Sequence, residues 1–317
     1  LHVSAATVCR ELKRGTYTYL NADYIEVTEY IPERSHQRYR ANMAAKGPAL
    51  KIGNHRAYAE TLEELIVNQD FSPAAAIHEI ENHPEKYGQF GVRICRQTLY
   101  SYVEKGIFLQ LTTKHLPFRG SRQKKKTQHI RRLKSTAKGD NIEKRPERIN
   151  KREEFGHWEM DLVVSCRGGK KCLLALTERT APQEIIMLIP DKTKESVVQA
   201  LDRLERRYGR MFPAIFKTIT VDNGGEFSDC EGLERSIFKS RGHRTKMYYC
   251  HPYCSSERGS NEKQNQMIRR KFPKGTNFDK VSQKEVKAVE QWLNNYPRKS
   301  LGWKSASEVF QQLIEAI

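Results

Sequence analysis

The second half of the chain consists of short apolar runs separated by polar turns. Three of these runs follow one another closely enough to predict an antiparallel meander of strands. Two further runs come after an amphipathic segment, so strand and helix then alternate. The runs predicted to be strands cover residues 158–164, 172–177, 184–189, 215–221 and 246–250.

Helical spacing of apolar residues completes this half of the chain. Apolar side chains recur at intervals of three and four between residues 196 and 208, which predicts a helix. Further helices are predicted at 233–238, 260–270 and 285–294. The resulting order βββαβαβα predicts a mixed α/β sheet with helices on both faces.

The first residues of the chain predict a short amphipathic helix. Val8 and Leu12 lie four residues apart behind Ser4, which is a favoured N-cap residue. Small residues begin this helix and cations end it, as in the recognition helix of a helix-turn-helix. An ordinary amphipathic helix is the alternative. Residues 16–50 predict an irregular stretch followed by a helix near 32–45.

A second helical module is predicted between residues 51 and 118. Ser72 followed by Pro73 marks a capped helix start. A later helix in this module carries an apolar stripe, with Arg96 and Gln97 outside it. This pattern resembles that of the first helix and predicts a second helix-turn-helix.

Residues 119–152 carry many cations, few acids and few apolar side chains. Such a segment cannot bury a core, which predicts an extended basic linker that follows DNA phosphates. A solvated linker is the plainer interpretation, and it is compatible with that contact. The candidate DNA contacts in this segment are Lys124, Lys125, Lys126, Arg131 and Arg132.

The charge of the chain makes a polyanion the first candidate partner. Its 317 residues include 56 Lys and Arg against 38 Asp and Glu, a formal net charge of +18. This balance favours nucleic acid. A membrane surface is the competing partner for a basic chain, but the sequence contains no apolar run of about 18 residues. It also contains no lipidation motif, and its mean hydropathy is −0.75.

Seven cysteines at scattered spacing argue against a disulfide framework and favour reduced thiols. The alternative is a zinc site, although the sequence contains no CxxC pair. That site would use Cys230, His243, Cys250, His251 and Cys254. No signal peptide is visible, and because the chain begins with Leu1 we expect that its native start has been lost.

Two aspartates stand where a metal site for phosphoryl transfer could form. Asp161 lies inside an apolar strand, where an unpaired carboxylate is costly. Asp222 directly follows another strand and precedes two glycines. An acid paired with a cation and an ordinary Asp-Asn-Gly turn are the respective alternatives. Carboxylates that converge at one sheet edge can hold two Mg²⁺ ions, which activate a nucleophile and stabilise a leaving oxygen.

The third carboxylate of such a site is either Glu257 or Glu262. If a helix begins at Ser260, then Glu262, Asn265 and Arg269 fall on one polar face. Glu262 can then point from the first turn toward the strand ends. Glu257 lies in the preceding loop, with a less fixed direction, so helical spacing favours Glu262.

Several motifs follow one another in the second half with a specific order and spacing. They are His-Trp-Glu-Met-Asp at 157–161, Val-Asp-Asn-Gly-Gly-Glu-Phe at 221–227, His-Pro-Tyr at 251–253, Glu-Arg-Gly-Ser-Asn-Glu at 257–262, Ile-Arg-Arg-Lys-Phe-Pro-Lys-Gly at 268–275 and Asn-Tyr-Pro-Arg-Lys at 295–299. This series resembles that of the bacterial insertion-sequence transposases of the "thirty" family. The resemblance covers nearly the whole chain and is less distinctive in its first half. Lys263 and Ser256 depart from the family pattern, and neither departure removes a ligand.

The resemblance implies an α/β fold, namely an RNase H-like, retroviral-integrase-like mixed-sheet catalytic domain preceded by all-α helix-turn-helix DNA-binding modules. The expected domains are a truncated helix-turn-helix with its connector at 1–50, a second helix-turn-helix at 51–118, the basic linker at 119–152 and the catalytic domain at 153–317. The family's Asp-Asp-Glu site would lie on Asp161, Asp222 and Glu262, holding two Mg²⁺ ions or Mn²⁺. His157 and Asn265 are candidates for positioning these acids.

A transposase of this kind binds terminal inverted repeats in double-stranded DNA, nicks the DNA to expose a 3′-OH and joins it to target DNA. Paired ends imply a homodimer or higher assembly, in the bacterial cytoplasm at the nucleoid. The alternatives are a sequence-specific regulator with a non-catalytic sheet domain and an RNase H-like nuclease without strand transfer. Candidate DNA contacts outside the linker are Arg10, Lys13, Arg14, Arg96, Gln97, Arg258, Arg269, Arg270 and Lys271.

Overall fold

The computed structural model describes residues 3–44, 46, 49–117, 139–238, 242–251 and 255–316. Contacts within the chain divide it into two compact units, Leu1–Leu116 and Pro117–Ile317. The linker cations Lys124, Lys125, Lys126, Arg131 and Arg132 lie outside the described residues.

The first unit begins with a helix, a hairpin and a second helix. Helix α1 spans Ala5–Gly15, the antiparallel strands β1 and β2 span Thr16–Leu20 and Glu26–Tyr30, and α2 spans Pro32–Ala44. The irregular stretch predicted after residue 15 is therefore wrong, although the helix near 32–45 is confirmed. Threonine and tyrosine occur in both strands and β2 adds a valine, and these residues favour a paired ribbon.

The rest of the first unit is helical. Helix α3 spans Arg56–Glu63 and continues through a wider turn at Glu64–Asn68, α4 spans Pro73–Asn82, α5 spans Pro84–Tyr87 and α6 spans Arg96–Glu104. The hydroxyl of Ser72 caps α4 by accepting a hydrogen bond from the Ala75 N–H at 3.3 Å. Apolar side chains of α3, α4 and α6 pack in one buried cluster that includes Leu62, Ala76 and Leu99.

The described residues of the second unit form one mixed sheet. Its strands are β3 (Asp140–Asn141), β4 (His157–Val164), β5 (Cys172–Glu178), β6 (Glu184–Ile189), β7 (Thr218–Val221) and β8 (Lys246–Tyr249). Their order across the sheet is β3-β8-β7-β4-β5-β6. Strands β4, β5 and β6 form the predicted antiparallel meander, β7 is parallel to β4, and β8 is parallel to β7. This is the RNase H-like strand order, which confirms the predicted fold class.

Helices lie on both faces of this sheet. They are α7 (Glu147–Asn150), α8 (Lys194–Tyr208), α9 (Phe212–Ile215), α10 (Cys230–Glu234), α11 (Gly259–Lys271), α12 (Gln283–Asn295) and α13 (Ala306–Glu315). Trp158 and Met160 pack with α8 on one face, while Val163 and Leu173 pack with α11 and α12 on the other. Among the helices of the described part, none has the length and apolarity that a bilayer crossing requires.

Two elements begin three residues away from their predicted start, each for a local reason. Helix α10 begins three residues before the predicted 233–238, because the Asp229 carboxylate caps it by accepting from the Gly232 N–H at 3.0 Å. Strand β7 begins three residues later than predicted, because Phe212–Ile215 is helical.

The end of the predicted linker belongs to the sheet unit. Strand β3 pairs in parallel with β8. The buried Arg145 donates to the Thr220 hydroxyl at 2.9 Å and to the Asn150 side chain at 2.6 Å. An extended linker is therefore wrong for residues 139–152, because this segment packs on a sheet that other residues build and needs no core of its own.

Helix α12 closes the outer edge of β6 with side chains. The Glu290 carboxylate accepts from the Ile186 N–H at 2.8 Å. The Asn294 amide accepts from the Glu184 N–H at 2.8 Å and donates to the Glu184 carbonyl at 2.8 Å. These groups take the place of a neighbouring strand, so buried backbone groups at this edge are satisfied.

We expect Asn294→Ala to lower the free energy of unfolding by about 2–4 kcal/mol, because it leaves a buried N–H and a buried carbonyl without partners. Urea unfolding followed by circular dichroism measures the change. The control is Asn295→Ala at the exposed neighbouring position, with an expected change within about 0.5 kcal/mol. Equal losses in the two variants would contradict the role of Asn294.

Candidate active site

Strand β4 places polar side chains on the sheet face that α11 covers. His157, Glu159 and Asp161 alternate along β4 with Trp158 and Met160, which lie in the opposite core. The apolar appearance of β4 in the sequence therefore conceals a polar row. This row faces the helix that carries Glu262.

The parallel pairing of β4 with β7 brings Asp222 beside Asp161. Glu159 is in register with Thr220, and the two aspartates each lie two residues further along. The Gly224 N–H donates to the Asp222 carboxylate at 3.0 Å, so the turn after β7 orients this side chain. The two carboxylates meet at one edge of the sheet.

The guanidinium of Arg258 joins the two aspartates. Its Nη1 lies 3.3 Å from Asp161 Oδ1, and its Nη2 lies 3.0 Å from Asp222 Oδ2. Nη1 also donates to the Met160 carbonyl at 3.2 Å. The Arg258 side chain is only 13% exposed. We predicted a DNA-phosphate contact for Arg258, and the structure gives it these oxygens as partners instead, because the turn before α11 directs it inward.

Burial and charge oppose each other in this cluster. Burial raises the pKa of Asp161, and the charge of Arg258 lowers it without cancelling the rise. Burial also acts to lower the pKa of Arg258, but Asp161 and Asp222 outweigh it and the net shift is upward. The arginine therefore stays charged, and the two carboxylates share one cation.

Helix α11 contributes an amide and a further acid. The Asn265 amide donates to Asp161 Oδ2 at 2.8 Å and so holds that carboxylate in place. Glu262 lies three residues earlier in the first turn of α11 and is exposed. Throughout the described part of the chain, no three His, Cys, Asp or Glu side chains are placed to hold one metal ion. The structure thus brings Asp161 and Asp222 together and leaves Glu262 apart.

The carboxylates of this cluster supply some of the oxygen ligands that a hard divalent cation requires. Asp161 and Asp222 each direct one oxygen at a single positive group, the guanidinium of Arg258. Carboxylate oxygens are ligands of Mg²⁺ and Mn²⁺. These two aspartates are placed to hold such an ion, and Glu262 as the third ligand stays a prediction.

A buried acid, Glu159, was missing from the sequence candidates. Its side chain is fully buried, and it accepts from the Asn261 N–H at 2.9 Å. Its other oxygen lies 3.6 Å from Arg179 Nη1. Glu159 therefore fixes the first turn of α11 against β4. The available signal was alternation, because Glu159 and Asp161 are two residues apart on one strand and so share a face.

Glu257 lies in the turn before α11 and pairs with His251. Its carboxylate accepts from the His251 N–H at 2.9 Å and contacts the ring Nδ1 at 2.7 Å. Glu143 contacts the other ring nitrogen at 3.1 Å. The hydrogen bonds to Glu257 and then to Glu143 raise the pKa of His251. Glu257 is thus engaged in holding this loop.

The cations at the end of α11 are partly buried along the protein surface. Arg269 donates to the Val164 carbonyl at 2.9 Å. The side chains of Arg270 and Lys271 lie over the Trp292 ring, 5.5 and 4.7 Å from its centroid. A phosphate contact by these residues remains a prediction.

His157 lies at the start of β4, four residues before Asp161. It is buried, and its Nδ1 is 2.8 Å from the Thr218 hydroxyl. Burial lowers the pKa of its ring. The described contacts join His157 to the beginning of β7 rather than to the aspartates.

The candidate DNA contacts of the first unit lie on two helices. Arg10 and Lys13 are exposed on α1, while Arg14 forms an ion pair within that helix. Arg96 and Gln97 are exposed at the start of α6. The exposure of α6 at its N-terminal end is what a recognition helix requires.

Comparison of sequences relates the chain to transposases. It is 34% identical over 216 residues, 68% of its length, to the probable transposase for insertion-like sequence element IS1161 of Streptococcus salivarius, and the match covers 58% of that protein. It is 33% identical over 174 residues, 55% of its length, to the transposase InsI for insertion sequence element IS30C of Escherichia coli strain K12, covering 43% of that protein. The chain thus spans about half the length of the curated relatives it matches.

No family model matches the chain. Among solved structures, one chain of the simian T-cell lymphotropic virus intasome in complex with PP2A regulatory subunit B56 gamma has 13% sequence identity and a TM-score of 0.38. The match covers 48% of this chain and 52% of that chain. With a match this loose, the fold assignment rests on the strand order.

We expect Glu257→Gln to lower the pKa of His251, because it removes the largest cause of the rise. The pairing of His251 is fully present below the ordinary histidine pKa of about 6.5 and is lost as the pH rises through the raised value. NMR titration of the imidazole ring measures the shift. Glu143→Gln is the control and should lower the pKa less. A larger decrease in the His251 pKa in Glu143→Gln would show that Glu143, and not Glu257, is the main cause of the rise.

Proposed function

Because this chain is a relative of the IS30-type insertion-sequence transposases, we propose that it is a DNA transposase that nicks DNA and joins the exposed 3′-OH to target DNA. Its proposed substrates are double-stranded terminal inverted repeats and target DNA. The observation that carries the proposal is the pairing of Asp161 with Asp222 beside α11. An RNase H-like sheet with acids at this edge suits phosphoryl transfer.

Each residue of the cluster has a proposed part in this activity. Asp161, Asp222 and Glu262 would hold two Mg²⁺ or Mn²⁺ ions. Such ions, when bound, activate the attacking oxygen and stabilise the leaving one. Asn265 orients Asp161 through its amide, and it shares one face of α11 with Glu262 at a spacing of three residues. Arg258 keeps the two aspartates together until substrate and metal ions bind.

The first unit supplies the proposed recognition of the element's ends. Exposed Arg96 and Gln97 on α6 can reach base edges in a major groove, and the cations of α1 can contact phosphates. The net charge of +18 supports binding to a polyanion. Because two ends must be joined, a homodimer or higher assembly on DNA in the bacterial cytoplasm follows from the proposal.

A DNA-binding regulator with a non-catalytic sheet unit is the second candidate. One observation favours it, because Arg258 already pairs with both aspartates and Glu262 stands apart. A nuclease without strand transfer differs only in the joining step. Incubation of pre-nicked end DNA with Mg²⁺ and a plasmid target separates these activities, since only a transposase yields a joined product.

Asp222→Asn and Glu262→Gln should each reduce nicking of end-containing DNA by more than about a hundredfold, because changes even to the partners of metal ligands cost roughly 10- to 100-fold. Gel analysis of nicked plasmid in Mg²⁺ measures the rate. Glu257→Gln, whose carboxylate holds His251, is the matched control and should keep substantial activity. If Glu262→Gln nicks as the parent does and Glu257→Gln is inactive, the third ligand is Glu257. Parent-like nicking by Asp222→Asn would remove Asp222 from the catalytic site, whereas absence of nicking by the parent itself would favour the regulator.

Arg96→Ala should reduce the preference for element-end DNA over random DNA by about 1–3 kcal/mol, because a base-reading arginine discriminates by that amount. Fluorescence anisotropy with both duplexes measures the two affinities. Arg93→Ala, an exposed cation three residues earlier that pairs with Glu81, should leave the ratio unchanged. If Arg96→Ala and Arg93→Ala change the ratio of the two affinities equally, Arg96 does not take part in base recognition.

A further inference from the structure

A cavity of about 410 Å³ lies beside the turn that leads into α11. Three arginines, Arg145, Arg152 and Arg179, line it, and we call it the arginine cavity. Glu257 also contributes to its wall, whereas Asp161 and Asp222 do not. The arginine cavity is thus next to the aspartate pair and separate from it.

The arginines come from parts of the second unit that are distant in sequence. Arg145 and Arg152 flank helix α7, and Arg179 follows β5. Arg152 has a left-handed backbone, with φ of 58°. Its Nη2 lies 4.0 Å from the place where a side chain at Gly259 would begin. The absence of a side chain at Gly259 leaves room for this guanidinium beside the start of α11.

Two of these arginines are buried without full use of their donors. Arg179 is 6% exposed, and its Nε and Nη1 make no hydrogen bond among the described residues. Its Nη1 lies 3.6 Å from Glu159, which is close enough for attraction but too long for a hydrogen bond. Arg145 uses both of its Nη atoms and leaves Nε without a partner in the same part of the chain. Unmet buried donors are costly.

Mutual repulsion adds to this cost. The pKa of Arg179 falls to about 10, first because of burial and then because Arg145 and Arg152 repel its charge, although Glu159 opposes the fall. Burial also lowers the pKa of Arg145. An anion among these side chains would offset both the repulsion and the unmet donors.

The acids at the rim compensate this charge poorly. Glu257 and Glu143 line the arginine cavity, but both bind the ring of His251. The raised pKa of His251 favours an imidazolium, which shares their negative charge. Glu159 is fully buried and accepts from Asn261 with one oxygen, while its other oxygen lies 3.6 Å from Arg179 Nη1 without a hydrogen bond among the described residues. Capacity for a further acceptor therefore remains.

We propose that the arginine cavity binds a phosphate group of a DNA strand next to the aspartate pair. The proposal rests on the proposed transposase function, which supplies the DNA. Guanidinium groups match phosphate oxygens in charge and geometry. No aromatic side chain is present among the described lining residues, so stacking of a base is not provided for. The phosphate is either an internal phosphodiester or a terminal 5′-phosphate.

The test uses Arg152→Ala in the full chain, because Arg152 is exposed and its loss does not threaten folding. Inorganic phosphate is the first probe, measured by ³¹P NMR line broadening in EDTA without divalent metal. We expect the variant to bind it roughly tenfold more weakly, the loss of one charge-assisted contact. Arg148→Ala is the matched control, because Arg148 is 74% exposed, lies four residues away and does not line the cavity. It should change binding by less than about twofold.

Duplex DNA with 5′-phosphate or 5′-hydroxyl ends identifies the source of the phosphate. Weaker binding of both duplexes by Arg152→Ala indicates an internal phosphodiester. In that case the slope of the logarithm of the binding constant against the logarithm of the salt concentration should also be smaller in magnitude by about one. Weaker binding of the 5′-phosphorylated duplex alone indicates a terminal phosphate. Unchanged affinity for both duplexes overturns the assignment to DNA, even if inorganic phosphate binding is lost.

Arg179→Lys is a second variant. It keeps a positive charge opposite Glu159 but removes the planar guanidinium, which can donate two hydrogen bonds to one phosphate. We expect several-fold weaker phosphate binding with an unchanged circular dichroism spectrum. No phosphate binding by the parent, or equal losses in Arg152→Ala and Arg148→Ala, would overturn the site. The binding assay needs neither metal nor nicking, so its failure is distinct from failure of the proposed activity, which the Asp222→Asn assay tests.

Discussion

The buried carboxylate of Glu159 is the contact on which the rest of the site depends. A charge at a fully buried position persists only when it is paired and hydrogen-bonded, and its partners here are Asn261 and Arg179. One partner fixes the first turn of α11, and the other forms the wall of the arginine cavity. Glu159 therefore couples the position of α11, the helix that carries Glu262, to the cations of the arginine cavity. The aspartate pair and the arginine cavity share this anchor.

Arginine pairs with acids at more than one place in this unit. Arg258 serves Asp161 and Asp222, and Arg244 serves Asp202 at 2.6 Å. Glu178 has no arginine partner within the described part of the chain and is held by backbone N–H groups. Burial raises the pKa of Glu178 to about 7 against those hydrogen bonds.

The fold could largely be predicted from the sequence, and the site only in part. Strand-length apolar runs and the motif series were sufficient to predict the sheet. The apolar pattern that marks each strand can be read from residues that are neighbours in the sequence. The hairpin at Thr16–Tyr30 was missed, because a two-stranded ribbon with exposed aromatics lacks a clear buried face. The positions of Asp161 and Asp222 followed from strand order. The inward turn of Arg258 did not, because it depends on a fold-specific contact across 98 residues with the Met160 carbonyl.

The side-chain closure of β6 by Glu290 and Asn294 has a consequence for assembly. An open strand edge invites pairing with another chain and is a common route to aggregation. At the other end of the sheet, as far as the described residues extend, β3 is only two residues long. Neither margin of the sheet therefore offers a long template for another backbone. A second copy would therefore have to pack against side chains of this unit rather than extend its sheet.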